Sequence, residues 1–538
     1  MMRAPSEVMR LERMGAFHQC RLSFMRQLTR RMADEGWRVR RVAFDLDARG
    51  EGHAVYAMDT PHRTYSLVAF AHDLPEHLRS DRVIAEAWDA TFTLHDGEAD
   101  ATTVARLRRN VPLQEAGRVS ERELTLSRAN RSGRLWAHVV ERLSEGRQPD
   151  AEALAATGYL MRTTAVYGSG KFGASDRDGY RDRPELAAPF QAEMLTVWLI
   201  RRFALDLVEH HARMRAPGAV PLDRTLAAGL GIGNSTGLGM APFLVNHPRL
   251  IHAWVAAKEA AIARVRAVER ASAAEVATFR RVLSGARRMA DLWEVADPIQ
   301  AEAVRGLRAD LARAAEWPVE GAFPWDALLR RAEALGLEAQ EALAALVLEP
   351  YGALVDDLAG AMADDAPPPR LDGAMSVGAL RDRLRDLHGA ALDADWTGPE
   401  ATARLWYVSE EKLEPRLAER ADAPLEPWEQ PLAPLRDAAA LAAALAPMDA
   451  ATPVAEVALA HPHLRAAMLR AQVATGFGEV RGNTVGAGLR PVDLLRAKLS
   501  FFGATRFDPR SDRWLRICMF AGAPLEPDAD EPDLWVYP

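Results

Sequence analysis

Three glycine-rich stretches hold the side chains best suited to chemistry in this chain. They are "RTTAVYGSGKFG" at 162–173, "GIGNSTGLG" at 231–239 and "GEVRGNTVGAGLR" at 478–490. Glycine lets backbone N–H groups come close to a ligand, and hydroxyl and amide groups add directional donors. Ser169, Asn234, Thr236, Asn483 and Thr484 are such donors, and Arg162 and Arg481 suit a bidentate contact with a carboxylate or phosphate. Lys171 can move a proton, and Ser235 can hold a developing oxyanion or act as the reacting hydroxyl. A fourth stretch, "WYVSEEKLEPR" at 406–416, offers Ser409 and Glu410 as nucleophile and acid/base. The same residues also read as a helix start, with Ser409 at the N-cap and carboxylates in the first turn. Convergence of the three glycine loops would make a pocket for a small anionic metabolite. The function expected on that basis is a lyase or hydrolase working without a redox cofactor. The alternative is a non-catalytic helical scaffold or a metabolite-sensing regulatory protein, in which each loop only caps a helix or lets two helices cross.

Four short stretches resemble family motifs, and each lacks a part that the family's chemistry requires. "RRVAFDLDARG" is similar to the first motif of haloacid-dehalogenase-type phosphatases, which would make Asp45 a nucleophile and Asp47 an acid/base. Ala48 and Arg49 stand where that family has Gly-Thr, so a hairpin turn explains the two aspartates better. "YGSGKFGAS" resembles a kinase glycine-rich loop, but no lysine-bearing strand, His-Arg-Asp or Asp-Phe-Gly follows it. Gly233, Gly237 and Gly239 have short-chain dehydrogenase spacing, yet "VPLDRTLAAGLGI" before them is a poor strand and no Tyr-x-x-x-Lys pair occurs. "STGLGMAPFLVNHP" resembles the mobile loop of fumarase/aspartase lyases without its lysine. No family is assigned on these residues.

Bulk properties exclude other classes. The chain has 538 residues, a formal net charge of −8 and a pI of about 6.0, which disfavours a general nucleic-acid binder. Two cysteines, Cys20 and Cys518, are too few for a disulfide framework or a four-thiolate zinc site. "EHH" at 209–211 and "HPH" at 461–463 lack a third ligand at a metal-binding spacing and read as surface or capping histidines. No metal is expected. No secretory signal or membrane-spanning stretch is visible, so a cytoplasmic protein without membrane partners is expected, possible as a homo-oligomer.

The elements that must position these residues follow from periodicity. "RVRRVAFDL", "HAVYAM", "TYSLVAFAH" and "DATFTLHDG" alternate or run apolar between turn-rich breaks, which predicts an antiparallel meander. With a helix over about 6–35 they make a small α+β domain at 1–105. From about 111 to 350 the pattern is helical, and "PFQAEMLTVWLIRRFALDLVEHH" is apolar on nearly all sides, as a central helix should be. The fold expected is therefore mainly α, a helical bundle with that small N-terminal domain. The domains expected are 1–105, a helical core at 106–362, a Pro/Ala-rich helical segment at 363–451 and a Gly/Arg-rich segment at 452–538. In the last of these, "DRWLRICMF" has the character of a strand.

Overall fold

The computed structural model describes residues 20–75, 87–110, 120–168, 182–234, 248–293, 295, 298–363, 370–393, 406–409, 415–417, 429–432, 434–473, 506–509 and 515–527. The predicted meander is present as β1 (Arg38–Leu46), β2 (Gly52–Asp59), β3 (Thr64–Ala71) and β4 (Ala90–Asp96), each antiparallel to the next. It does not stop there. β5 (Glu123–Arg131) and β6 (Tyr159–Gly168) continue the sheet antiparallel, and β7 (Gly231–Asn234) joins β6 in parallel. A separate three-stranded sheet is built from β8 (Trp406–Ser409), β9 (Pro415–Leu417) and β10 (Glu429–Leu432). Finally β11 (Arg506–Pro509) and β12 (Leu515–Met519) form a hairpin whose second strand pairs with β7. The result is a nine-stranded, mixed, curled sheet in the order β1-β2-β3-β4-β5-β6-β7-β12-β11.

This overturns the expectation of a helical bundle carrying a small meander. The sheet draws five of its strands from sequence beyond residue 105, inside the stretches that read as helical or glycine-rich. The reason lies in burial. β5, "ELTLSRANR", is buried on both faces, so polar Glu123, Thr125, Ser127, Arg128 and Asn130 sit inside and blur its period of two.

The inner face is covered by the predicted central helix. Among the described residues four α-helices precede it: α1 (Phe24–Asp34), α2 (Ala101–Asn110), α3 (Gly133–Ser144) and α4 (Ala151–Thr157). The central helix is α5 (Gln191–Arg215), which touches β3, β4, β5, β6 and β7. Phe203 packs edge-on against Tyr56 of β2 and Phe92 of β4. Polar groups pin the apolar contact: Tyr56 donates to Asp206 on α5 at 2.7 Å, and Thr125 and Thr196 share a 2.6 Å hydrogen bond. Buried Arg201 donates to the carbonyls of Leu230 (2.6 Å), Ala228 (2.8 Å) and Pro524 (3.1 Å). It thereby ties both α6 (Arg224–Gly229), just before β7, and the chain after β12 to the helix.

From β7 to residue 363 the described chain is helical, with α7 (Pro248–Arg266), α8 (Ala273–Asp291), α9 (Pro298–Ala315), α10 (Pro324–Ala332) and α11 (Leu337–Leu346). These helices share one apolar core with the sheet and α1. Buried charge joins them: Arg26 of α1 meets Glu349 at 2.6 and 2.7 Å, and Lys258 of α7 meets Glu341 of α11 at 2.9 Å. A second core, from Val377 to Ala471, unites the helices Val377–Leu392, Pro434–Leu445, Val454–Ala460 and Arg465–Val473. No described helix is long and apolar enough to cross a membrane.

The Asp45–Asp47 region is the hairpin turn expected from its sequence. Asp47 accepts from the N–H groups of Arg49 and Glu51, and Gly50 turns the chain at φ +79°. His210 and His211 of α5 are not surface residues: they pack against this turn. His210 Nε2 donates to the Asp47 carbonyl at 2.8 Å. His211 Nδ1 faces two donors, Trp136 Nε1 at 3.3 Å and Arg131 Nη1 at 3.4 Å. Burial first, then the neighbouring Arg131 and His210, hold its pKa down to about 4. A Cβ on Gly50 would stand 2.0 Å from His211 Nε2. Gly50→Ala should therefore cost about 2 kcal/mol or more, combining a left-handed backbone with overpacking. In a His211→Ala background the overpacking part should vanish, which urea melts of the double mutant will read. An unchanged cost in that background would rule out the imidazole contact as its source.

Candidate functional site

The strand β6, helix α5 and strand β7 form a parallel β-α-β crossover within the sheet. Register places Arg162 beside Gly233 and Thr163 beside Asn234. Both strands therefore run the same way and lead into two of the glycine-rich stretches at their carboxyl ends. In sheets with parallel strands, that edge is where ligands are bound. The first turn of α5 stands at the same edge, because Thr196 bonds Thr125, and Thr125 pairs with Gly168, the last residue of β6.

One residue there was not singled out by its sequence. Glu193 lies in the first turn of α5 and shares a face with Thr196, Val197 and Ile200, all 0 % exposed. It has no side-chain partner among the described residues. Burial pushes its pKa up to about 7, and its own backbone N–H offsets only part of that. A carboxyl titrating near neutrality is suited to general acid/base work. The start of the helix is strained as well: Phe190 caps it at φ 59°, ψ 13°, without a side-chain hydrogen bond. Left-handed backbone at a non-glycine residue costs about 1–3 kcal/mol and clusters at functional sites.

The residues expected from sequence are only partly brought together. Arg162, in the middle of β6, stands next to Asn130 of β5 and Gly233 of β7, on the sheet face opposite Met161 and Ile232, which belong to the core. It is thus on the far side of the sheet from α5. Asn234 ends β7, opposite Thr163 and Ile517. Ser409 is not a helix N-cap. It ends β8 in the separate three-stranded sheet, opposite Glu429, because "WYVS" pairs with two other strands. Ser169, Lys171, Ser235, Thr236, Glu410, Arg481, Asn483 and Thr484 lie outside the described residues. The described starts of two of the three glycine-rich stretches, in β6 and β7, thus lie side by side in the sheet, while the rest of both and the whole third stretch fall outside the described residues. Among the described residues, no group of three His, Cys, Asp or Glu side chains is arranged to hold a metal ion.

The signal that would have found Glu193 is its isolation: one acid among "FQAEMLTVWLI". No protein-family model, curated protein or solved structure matches this chain. The site therefore has to be judged on its own geometry.

The sign of the Glu193 pH dependence follows from linkage. Its carboxyl titrates at about 7 in the fold and near the ordinary 4.5 when unfolded. Between those values the folded chain binds more protons, so stability falls as pH rises through the window. Glu193→Gln should remove that slope and gain about 3 kcal/mol above pH 7. Urea unfolding at pH 5 and pH 8 measures both. A net loss at pH 8 would mean that the ionised carboxylate is stabilised in the fold.

Proposed function

We propose that this chain is a cytoplasmic enzyme acting on a small anionic metabolite, a carboxylate or phosphate, by proton transfer at the β6–β7 edge. Lyase or hydrolase chemistry suits it best. The observation that carries the reading is Glu193: a buried carboxyl with its pKa raised to about 7, one helical turn before Thr196, whose partner Thr125 pairs with the last residue of β6. In this reading the loop that begins at Asn234 supplies the backbone and side-chain donors for the anion. Glu193 gives or takes the proton from within a water-poor setting, where proton transfer contributes about 10²–10⁴-fold. Three features support the assignment: parallel strands leading into two glycine-rich loops, a strained helix start, and an acid whose burial costs stability.

An exposed apolar seam on 249–290 would support the scaffold alternative. The large exposed hydrophobic side chains are Val42, Met214, Leu292, Phe323, Leu337 and Leu459, scattered and outside that stretch among the described residues. We therefore place the enzyme reading first.

The test is a thermal-shift and turnover screen of the full chain against carboxylates and phosphate esters. One class should raise Tm, and Asn234→Ala should abolish that rise without lowering the unliganded Tm. Glu193→Gln should keep the ligand-induced rise and lose turnover by about 10²-fold or more. The reading fails if no anion shifts Tm, or if Glu193→Gln turns over like the parent.

A further inference from the structure

Helix α2 lies on the sheet face opposite α5, where Ala99, Val104 and Leu107 pack on Val55, Val68 and Phe70. Its two ends are held differently. At the start, the Ala99 N–H donates to Ser66 Oγ at 3.1 Å, and Asp100 accepts from the Thr103 N–H at 2.7 Å. In the middle, Arg106 Nη2 donates to Glu123 at 2.8 Å. Burial works to raise the Glu123 pKa, but hydrogen bonds with His95, Arg106 and Ser120 outweigh it and bring it down to about 2. Hydrogen bonds from Thr103 likewise hold Asp100 below the ordinary carboxylate range. These anchors therefore stay ionised throughout the range in which histidine titrates.

The last turn is held by a histidine. Arg108 Nη2 stands 3.0 Å from Nδ1 of His53 on β2, and its guanidinium lies over the Phe70 ring, 5.6 Å from the centroid. A guanidinium has donors only, so Nδ1 must accept, and the neutral ring carries its proton on Nε2. Nε2 in turn is 3.5 Å from Asp45 Oδ2 on β1. A second proton can enter only at Nδ1, where it removes the acceptor and leaves two cations face to face. Burial first, then Arg108, lower the His53 pKa from its ordinary 6.5, and Asp45 offsets only part of this. From β3 the neighbour opposite His53 is Phe70, which carries no charge. Just beyond it, His72 is also held down by burial; Glu51 and Asp89 oppose this, and Arg108 adds to it. A histidine whose pKa is lowered by folding adds stability above its unfolded value and loses it as pH falls through the folded one.

We propose that the last turn of α2 is a proton-operated latch. The neutral His53 ring accepts from Arg108 and holds the turn over Phe70, and a proton on Nδ1 releases it. The start of the helix stays fixed through Ser66 and Asp100, so the motion is confined to the last turn. Release uncovers the margin of the apolar patch formed by Val55, Val68 and Phe70. None of these residues belongs to the β6–β7 edge, so the latch stands or falls independently of the proposed reaction.

Hydrogen exchange of the full chain, read by mass spectrometry at pH 7.5 and pH 4.5, tests this, with exchange times scaled for the intrinsic pH dependence of amide exchange. Amides in the last turn of α2 should exchange about threefold or more faster at pH 4.5, while those of its first turn and of β3 stay protected. His53→Gln keeps an acceptor for Arg108 and does not titrate, so protection should be retained and its pH dependence lost. Arg108→Gln, at an exposed position, should loosen the last turn equally at both pH values. Equal protection at both pH values in the parent, or an undiminished pH dependence in either variant, would overturn the proposal.

Discussion

A helix of 25 residues that is covered along almost its whole length can carry charge only where a neighbour supplies a partner. Helix α5 obeys this at nearly every polar position on its buried side. Arg201 spends its guanidinium on three backbone carbonyls, Asp206 accepts the Tyr56 hydroxyl, Glu209 accepts the Leu222 N–H, and His210 caps the turn at Asp47. Each pairing fixes a different piece of chain against the helix. Together they determine where β7, the β1–β2 turn and the segment after β12 must lie. Glu193 is the exception, and its environment raises the cost of its ionisation.

The same helix links two regions of unlike chemistry. Its first turn stands at the carboxyl edge of β6, where backbone strain at Phe190 and the neutral acid coincide. Its last turns hold His211, kept neutral by burial and by Arg131, in a closed polar cluster with Trp136 and Asp89. The closed end packs His211 against a glycine that leaves no room for a side chain. The open end leads to two loops rich in glycine. Rigidity at one end and unsatisfied chemistry at the other are what a site on a stable support requires.

The strands β1 to β4 were legible because one face of each is apolar and tight turns separate them. Helix α5 was legible because "EMLTVWLIRRFALDLV" is too apolar for a surface helix. What stayed hidden depends on pairing across long distances. β7, "GIGN", has two glycines and four residues, too little strand character to be seen without Arg162 on one side and Cys518 on the other. β5 reads as polar, although Glu123 and Asn130 are buried and bonded. The pKa of Glu193 depends on what surrounds it, and a run of apolar neighbours in sequence gives no measure of that. His95 was visible only as part of a strand end, since its partner Glu123 lies 28 residues away.

The pairing of Asn234 with Ile517 has a consequence for how the chain is made. Strands are added to a sheet most rapidly when their partners are near in sequence, and distant pairings are slow. During synthesis from the N-terminus, β7 therefore emerges long before β12 exists. Until then it is the unprotected margin of the sheet, and Arg201 lacks the carbonyl of Pro524. The helical unit from Val377 to Ala471, with its own apolar centre, is synthesised in that interval. The nascent protein thus passes through a stage in which most of its mass has folded while the strand beside the proposed reaction centre still lacks its last neighbour. Completion of that sheet margin therefore waits for the strands after residue 505.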